Sequence, residues 1–510
     1  MPVTTSYPGI YIEELPSTSR TIAAAPTSIT VFIGYTHPFK TKQFDKPVRI
    51  FSFADYEREF GGLYRNVYLD NSVPYAVQQF FLNGGSDAYV IGLKPQLHPP
   101  APESVTPFPK AQASIGTTAV LRALEPTDAS SPMTASVSNL DAVENVADIT
   151  ISYGSRVEVF RGVKLVKKAG DAVNSIEVRL AGSSLVELVE AAAYGTYVST
   201  STPVLFQYAV VPNPSATTFS DGDFLPVFGD GQLLDKVDIF NLMVIPGVAH
   251  QTILSHALTF CERKQAFLIV DAPSNYKVKD IVDDPTVLDV IPKSTNGAMY
   301  FPYLNSLDPL TGSTIFIPPS GTVAGVFART DTNRGVWKAP AGLETTLRNV
   351  SGVVDDGRMT DKQAGVLNDH SLNAIRTFPG VGSVVFGART LVANNLSFQQ
   401  WKYVSVRRMA LFIEQTLYRN LGWAIFEPND VPLWTALRTS VEAFMLSLFR
   451  QGAFQGTKPS EAFLVQCDSS TTTQADIDLG RVNLIVGFRP LKPAEFVIVK
   501  ISQLAGQAQA

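Results

Sequence analysis

Ile239-Phe240-Asn241-Leu242-Met243-Val244-Ile245, closed by Pro246-Gly247, then Gln251 to Lys264, then Ala266-Phe267-Leu268-Ile269-Val270-Asp271: this stretch decides the fold class. The first run is almost wholly apolar, as a strand covered on both faces must be. The Pro-Gly pair breaks it. Residues 251–264 read as a helix, and the second apolar run ends at an acid. Strand, helix and strand at this spacing predict a βαβ unit in an α/β layer.

Upstream, Ile29 to Gly34 is a further buried-strand candidate, Val73 to Asn83 has helical spacing up to Gly84-Gly85, and Ala88 to Leu93 is another strand. This extends the α/β layer toward the N-terminus. Pro95, Pro99, Pro100, Pro102, Pro107 and Pro109 mark a linker at 95–112. Beyond it the character changes. Short strands at Ile149–Tyr153, Val157–Arg161 and Ser175–Leu180 predict a mostly β insertion, closed by Pro212, Pro214 and Asp221-Gly222. Downstream, Ile315 to Ile317 is a strand and Ser320-Gly321 opens a second helix. In the C-terminal part, Ser397 caps a helix to about Asn420, and Asn429-Asp430 with Pro432 opens another. Trp434, Leu437, Val441, Phe444 and Leu448 form its single apolar stripe, which Gly452 stops. Val482, Leu484, Val486 and Phe488 alternate as a one-face strand. The first 20 residues, with Pro8-Gly9-Ile10-Tyr11-Ile12-Glu13-Glu14, read as an arm, and Phe496 to Ile501 as a terminal strand. The expected divisions are 1–20, 21–94, 95–228, 229–392, 393–490 and 491–510.

Across 510 residues, hydrophobic side chains make up 45% and charged ones only 17%, against about 25% in an average soluble domain. A surface short of charge suits a protein covered by neighbouring subunits, and is equally compatible with an ordinary large enzyme. The net charge is −5. The densest basic clusters, Lys164/Lys167/Lys168 and Arg407/Arg408, lack interleaved aromatics, so nucleic-acid binding is not expected. Cys261 and Cys467 lie far apart, with no CxxC or HxxxH spacing, which disfavours disulfides and zinc. The opening residues show no signal peptide, and no apolar run is long enough to span a bilayer. The expectation is assembly in the cytoplasm without membrane insertion.

One chemical reading competes. Asp271 ends a strand, His250 and His256 lie upstream, and Ser320 heads a helix, an outline shared with serine hydrolases of subtilisin-like fold. Here the histidines precede the aspartate, and Pro318-Pro319-Ser320-Gly321-Thr322 is not a nucleophile turn. Asp271 ending a strand and Ser320 capping a helix is the simpler account. His250 and His256, six apart, fall on different helix faces and suit no metal. No GxxxxGK[ST] cradle for phosphate occurs. No catalytic, cofactor-binding or metal residue is expected.

Several separate stretches resemble one family. Pro8 to Glu14 looks like the N-terminal signature of contractile tail sheath proteins. Val323-Ala324-Gly325-Val326-Phe327-Ala328-Arg329-Thr330-Asp331 with Arg334-Gly335-Val336-Trp337-Lys338-Ala339-Pro340-Ala341 looks like their central motif. Leu372 to Gly380 with Gly387-Ala388-Arg389-Thr390-Leu391, Phe426-Glu427-Pro428-Asn429-Asp430 with Leu433-Trp434, and Pro493-Ala494-Glu495-Phe496-Val497 are similar to later motifs, in the family's order. Residues 95–228 carry no match, as fits an outward-facing variable domain.

The resemblance implies a subtilisin-like α/β middle domain without an active site, an α+β C-terminal domain, a mostly β insertion and extended terminal arms. It implies a subunit that polymerises in sixfold rings around an inner tube, held between baseplate and terminal cap proteins, in a phage tail or a cell-encoded injection particle. A sheath of this kind contracts from a metastable extended state without consuming a nucleotide. Both terminal signatures in one chain favour these systems over the type VI apparatus, whose sheath uses two chains. The inter-subunit arms are expected at Ile10, Tyr11, Ile12 and Glu13, and at Phe496, Val497, Ile498 and Val499.

Overall fold

A computed structural model describes residues 20–67, 69–94, 108–168, 173–199, 202–209, 221–354 and 359–499. It divides into two compact units. The larger comprises Pro26–Asn333 and Pro340–Val404; the smaller gathers the chain up to Ala25, Arg334–Ala339 and the chain from Ser405.

The larger unit is built on an eight-stranded sheet. Its early strands are β1 (Thr30–Tyr35), β2 (Pro47–Ile50) and, after helix α1 (Ser72–Asn83), β3 (Ala88–Leu93). The insertion contributes β4 (Gln112–Ser114), β5 (Val120–Ala123), β6 (Met133–Asp141), β7 (Val146–Tyr153), β8 (Arg156–Lys164), β9 (Val186–Leu188) and β10 (Val204–Leu205). The main sheet resumes with β11 (Leu242–Val244), α2 (Gln251–Lys264), β12 (Phe267–Asp271) and β13 (Gly297–Phe301). A small sheet of β14 (Leu304–Leu307), β15 (Thr314–Ile317) and β16 (Gly352–Val353) surrounds α3 (Ser320–Arg334) in sequence; β17 (Leu372–Phe378) and β18 (Gly382–Val385) close the unit.

The main order is β18-β17-β13-β12-β11-β1-β3-β2. β3 through β17 run parallel, and the two edge strands are antiparallel. Every residue of β1, β11, β12 and β13 is buried. This is why those strands read as continuous apolar runs rather than alternations. The βαβ unit at 239–271 stands as expected. Helix α1 ends at Gly84, whose φ of +118° suits glycine alone. α3 packs so closely on α1 that a Cβ on Gly321 would lie 2.4 Å from the Ala76 carbonyl oxygen, and one on Gly325 2.5 Å from that of Phe80. Gly325 of the central motif, and Gly321 just before it, are therefore helix-packing requirements.

The insertion is mostly β, with sheets β10-β6-β7-β8 and β4-β5-β9 enclosing their own buried cluster, including Leu121, Ile149, Ile151, Val163 and Ile176. One expected strand is wrong: residues 176–180 form a helical turn. Ile176 and Leu180 are buried while Val178 between them is exposed; a strand would put all three on one face, whereas a helical turn brings only i and i+4 together. The insertion meets the rest of the larger unit through polar contacts, centred on buried Glu125. Glu125 receives His37 (3.0 Å), Lys40 and Arg156 (2.9 Å). The Val67 N–H donates to Asp128 (2.5 Å), and the Ser155 N–H to the Leu310 carbonyl (3.0 Å).

The smaller unit contains α4 (Val404–Asn420), α5 (Val431–Arg450), β19 (Phe463–Gln466) and β20 (Ile485–Phe488). α5 has Asp430 at its N-cap and Pro432 in its first turn, and buries Leu433, Trp434, Leu437, Val441, Phe444 and Leu448. Gly452 follows with φ +78°. The expected cap at Ser397 is corrected: Asn395 caps a short 3₁₀ turn at Leu396–Trp401, and the α-helix starts at Val404. The Thr390 N–H and hydroxyl donate to the carbonyls of Lys402 and Trp401, and the Val404 N–H donates to Ala388, which draws the chain out of helical geometry between them.

Candidate assembly surfaces

The hydrolase-like outline is the first site to test. β12 delivers Asp271 to a fully buried position, and the start of α3 delivers Ser320 beside it. The Ser320 hydroxyl donates to Asp271 Oδ2 (2.6 Å), its N–H to Oδ1 (2.8 Å), and the Gly247 N–H to Oδ2 (2.9 Å). Burial raises the Asp271 carboxyl to about 6 against these three donors. No imidazole stands between hydroxyl and carboxylate. His256 lies exposed on α2 with Nδ1 at 2.9 Å from the Thr252 carbonyl, and His250 occupies the N-cap position of that helix. The arrangement ties Ser320 down through its own oxygen, which orients the start of α3. Cys261 and Cys467 are free and buried, and burial pushes both thiols up. Among the described residues no cluster of three metal-ligating side chains occurs, and no helix is long and apolar enough to cross a membrane.

The surface features of the smaller unit are of another kind. β19 and β20 pair antiparallel, and among the described residues no third strand joins them. A two-stranded sheet is marginal alone, and its outer edges present unpaired N–H and C=O groups. Beyond Pro490, which bridges to Phe454, residues 491–499 join no ladder. Phe496, Val497, Ile498 and Val499 are 73%, 84%, 81% and 74% exposed. Four consecutive apolar residues in water are costly to leave uncovered. In the single chain they are therefore not the expected strand, for want of a partner edge. Ile10, Tyr11, Ile12 and Glu13 lie outside the described residues, as does His98.

A groove of about 600 Å³ opens beside the same sheet, lined by Leu421, Ile425, Phe426, Leu433, Leu437 and Val482. Its rim is the Phe426-Glu427-Pro428-Asn429-Asp430 stretch. Asn429 holds this rim in place, accepting from the Trp434 indole N–H (2.8 Å) and donating to the Arg481 carbonyl (2.9 Å). Phe426 is fully exposed in the left-handed region, φ +67°. A non-glycine residue there carries strain of order 1–3 kcal/mol.

Comparison with known proteins accounts for this architecture. Residues 233–391 match the family model of the phage tail sheath protein central domain, and residues 397–503 that of the phage tail sheath C-terminal domain. The chain belongs to the contractile tail sheath protein family. The tail sheath protein of Vibrio phage KVP40 is 24% identical over 183 residues, 36% of this chain and 26% of that protein. A putative prophage major tail sheath protein of Pseudomonas aeruginosa is 26% identical over 276 residues, 52% of this chain and 66% of its own length. The aligned part thus spans about a quarter of the first relative and about two thirds of the second. Among solved structures, the fold resembles the sheath complex of the extracellular contractile injection system PVC in the contracted state, with TM-score 0.60 at 22% identity over 98% of both chains. It also resembles the contracted helical sheath of the anti-feeding prophage, with TM-score 0.59 at 23% identity over 98% of this chain and 100% of that one. These likenesses establish a mixed α/β multidomain sheath fold.

Proposed function

We propose that this chain is the structural sheath subunit of a contractile injection machine, a phage tail or a cell-encoded extracellular particle. It polymerises in sixfold rings around an inner tube in an extended state and contracts to drive the tube into a target. The observation that carries this reading is the run Phe496–Val499, apolar, consecutive and exposed beyond the last strand of the smaller unit. A chain that keeps such a run needs another molecule to cover it, and the unpaired edges of β19 and β20 are chemically suited to receive it by strand addition. Phe496, Val497, Ile498 and Val499, with Ile10, Tyr11, Ile12 and Glu13 at the other end, are in this reading the inter-subunit arms.

The remaining parts take roles consistent with it. The larger unit supplies the rigid body, with the insertion facing outward. Asp271 and Ser320 are what make the middle domain read as subtilisin-like, and their direct bond speaks against catalysis. Firing without fuel requires an extended state trapped above a lower-energy contracted packing. At about 25 cal/mol per Å², a few hundred Å² of extra apolar burial per subunit releases several kcal/mol, repeated along the sheath. The partners are other copies of this chain, the inner tube, the baseplate and the terminal cap, met in the cytoplasm of the producing cell. Negative-stain microscopy of the chain, expressed alone and together with its inner tube protein, tests the proposal. Long sixfold tubes are expected; compact monomers or small oligomers in both preparations refute it.

A further inference from the structure

The root of the N-terminal arm is held by a helix. Residues Ala23, Ala24 and Ala25 run along the end of α4. The Asn420 side chain accepts from the Ala23 N–H (3.0 Å) and donates to the Ala23 carbonyl (2.8 Å), while also donating to the Thr416 carbonyl (2.8 Å). One turn back, the Thr416 hydroxyl accepts from the Ala25 N–H (3.1 Å).

The spacing explains why this works. Two residues of extended chain advance about 6.6 Å, and four residues of helix about 6 Å. Main-chain groups of alternate residues in an extended segment face the same way. A segment antiparallel to a helix can therefore meet side chains at i and i+4 with residues two apart, as Ala23 and Ala25 meet Asn420 and Thr416. The three alanines have no bulk to hold the backbone off. Pro26, which has no N–H, ends the series. Beyond its other end, the Arg20 guanidinium lies 4.6 Å over the Trp423 ring, and Ile22 packs against the buried cluster of α4 and α5.

We propose that Thr416 and Asn420 form a side-chain ladder that moors the N-terminal arm, so that pull on residues 1–19 is delivered to α4. The ladder replaces a strand partner: the segment gains the main-chain bonds of a sheet without belonging to one. Tension along the segment loads its rungs and the Arg20–Trp423 stack together. The load-bearing part of this inference rests on the sheath reading above; the mooring itself does not.

Hydrogen exchange by mass spectrometry on peptides covering residues 20–27 of the full chain tests the mooring in any assembly state. The variant Thr416→Val/Asn420→Leu is expected to raise exchange at the Ala23 and Ala25 amides about tenfold or more, while Thr416→Ser, which keeps the oxygen, stays at the parental rate. Ala23→Pro removes the same N–H from the other side without touching α4, and is expected to loosen Ala25 equally should the helix variants misfold. Parental exchange in the folded variants overturns the mooring. Microscopy then tests the load: loosened variants are expected to assemble extended sheaths that do not contract. Raised exchange with parental contraction overturns the load-bearing role alone. If the parent itself forms no tubes, the sheath reading falls while the exchange result still decides the mooring.

Discussion

Placing an aspartate in the C-terminal arm, Ile498→Asp, separates a residue needed for folding from one needed for assembly. Ile498 is 81% exposed in the single chain, so the substitution removes almost nothing from the fold. Exposed substitutions of this kind shift stability by about 0.5 kcal/mol or less. If the arm is buried by a neighbouring subunit, the same change loses about 2–3 kcal/mol of apolar burial. It also places an unpaired carboxylate in the interface, for several kcal/mol more. Even about 4 kcal/mol of this per contact is close to a thousandfold in each arm's equilibrium, and every subunit of every ring carries the defect. The expected outcome is a subunit with the parental circular dichroism spectrum and melting temperature that forms no tubes by negative stain and sediments slowly. Val143→Asp, at a 92% exposed position on the insertion, is the matched control and is expected to assemble normally. Normal contractile sheaths from Ile498→Asp, or a melting temperature lowered by more than a few degrees, would refute the reasoning.

At the other end, deleting residues 1–15 is expected to abolish assembly and leave a folded subunit, whereas inserting a few flexible residues after Glu14 should give extended sheaths that cannot contract; both are read by microscopy beside the parent. Glu125 anchors the insertion: burial opposes its charge, but the bond from His37 and the charges of Lys40 and Arg156 hold its carboxyl at about 2. A depressed carboxyl stabilises fully above the unfolded value near 4.5, and that contribution is lost as pH falls toward 2. His37, whose charging burial opposes, works in the same direction below its ordinary 6.5. Protection of the insertion's amides, taken relative to their intrinsic rates at each pH, should therefore fall on acidification, and Glu125→Gln should lose about 3–5 kcal/mol at neutral pH, flattening the profile between 4.5 and 2; an unchanged melting curve would exclude the clamp. Ser320→Ala removes one donor from buried Asp271, so a loss of about 1–3 kcal/mol in stability is expected, with assembly and firing intact. The parent should not react with serine-hydrolase probes, and stoichiometric labelling at Ser320 would overturn the structural role assigned to it.

Features whose cause is local or periodic were legible in the amino-acid chain alone. Continuous apolar runs at 29–34, 239–245 and 266–270 are what parallel strands buried on both faces require, and the α/β layer followed from them. The stripe from Trp434 to Leu448 and its Asp430 and Gly452 boundaries were legible because helix period, cap and stop lie within a few residues of one another. The family was legible because its motifs survive as contiguous stretches. Where local signals were weak or balanced, tertiary contacts decided. Residues 176–180 form a helical turn that buries Ile176 and Leu180 and leaves Val178 outside the insertion's core, and the Thr390 contacts delay the start of α4 to Val404. The terminal strand at 496 found no partner in its own chain, since strand character needs an edge that one subunit does not offer it. Only the tertiary structure joined His37 to Glu125, 88 residues away, or Ala23 to Asn420, 397 residues away. Neither pair leaves a pattern in the sequence, because a single hydrogen-bonding side chain reads the same wherever its partner lies. It is the fold of the chain that brings them within 3 Å.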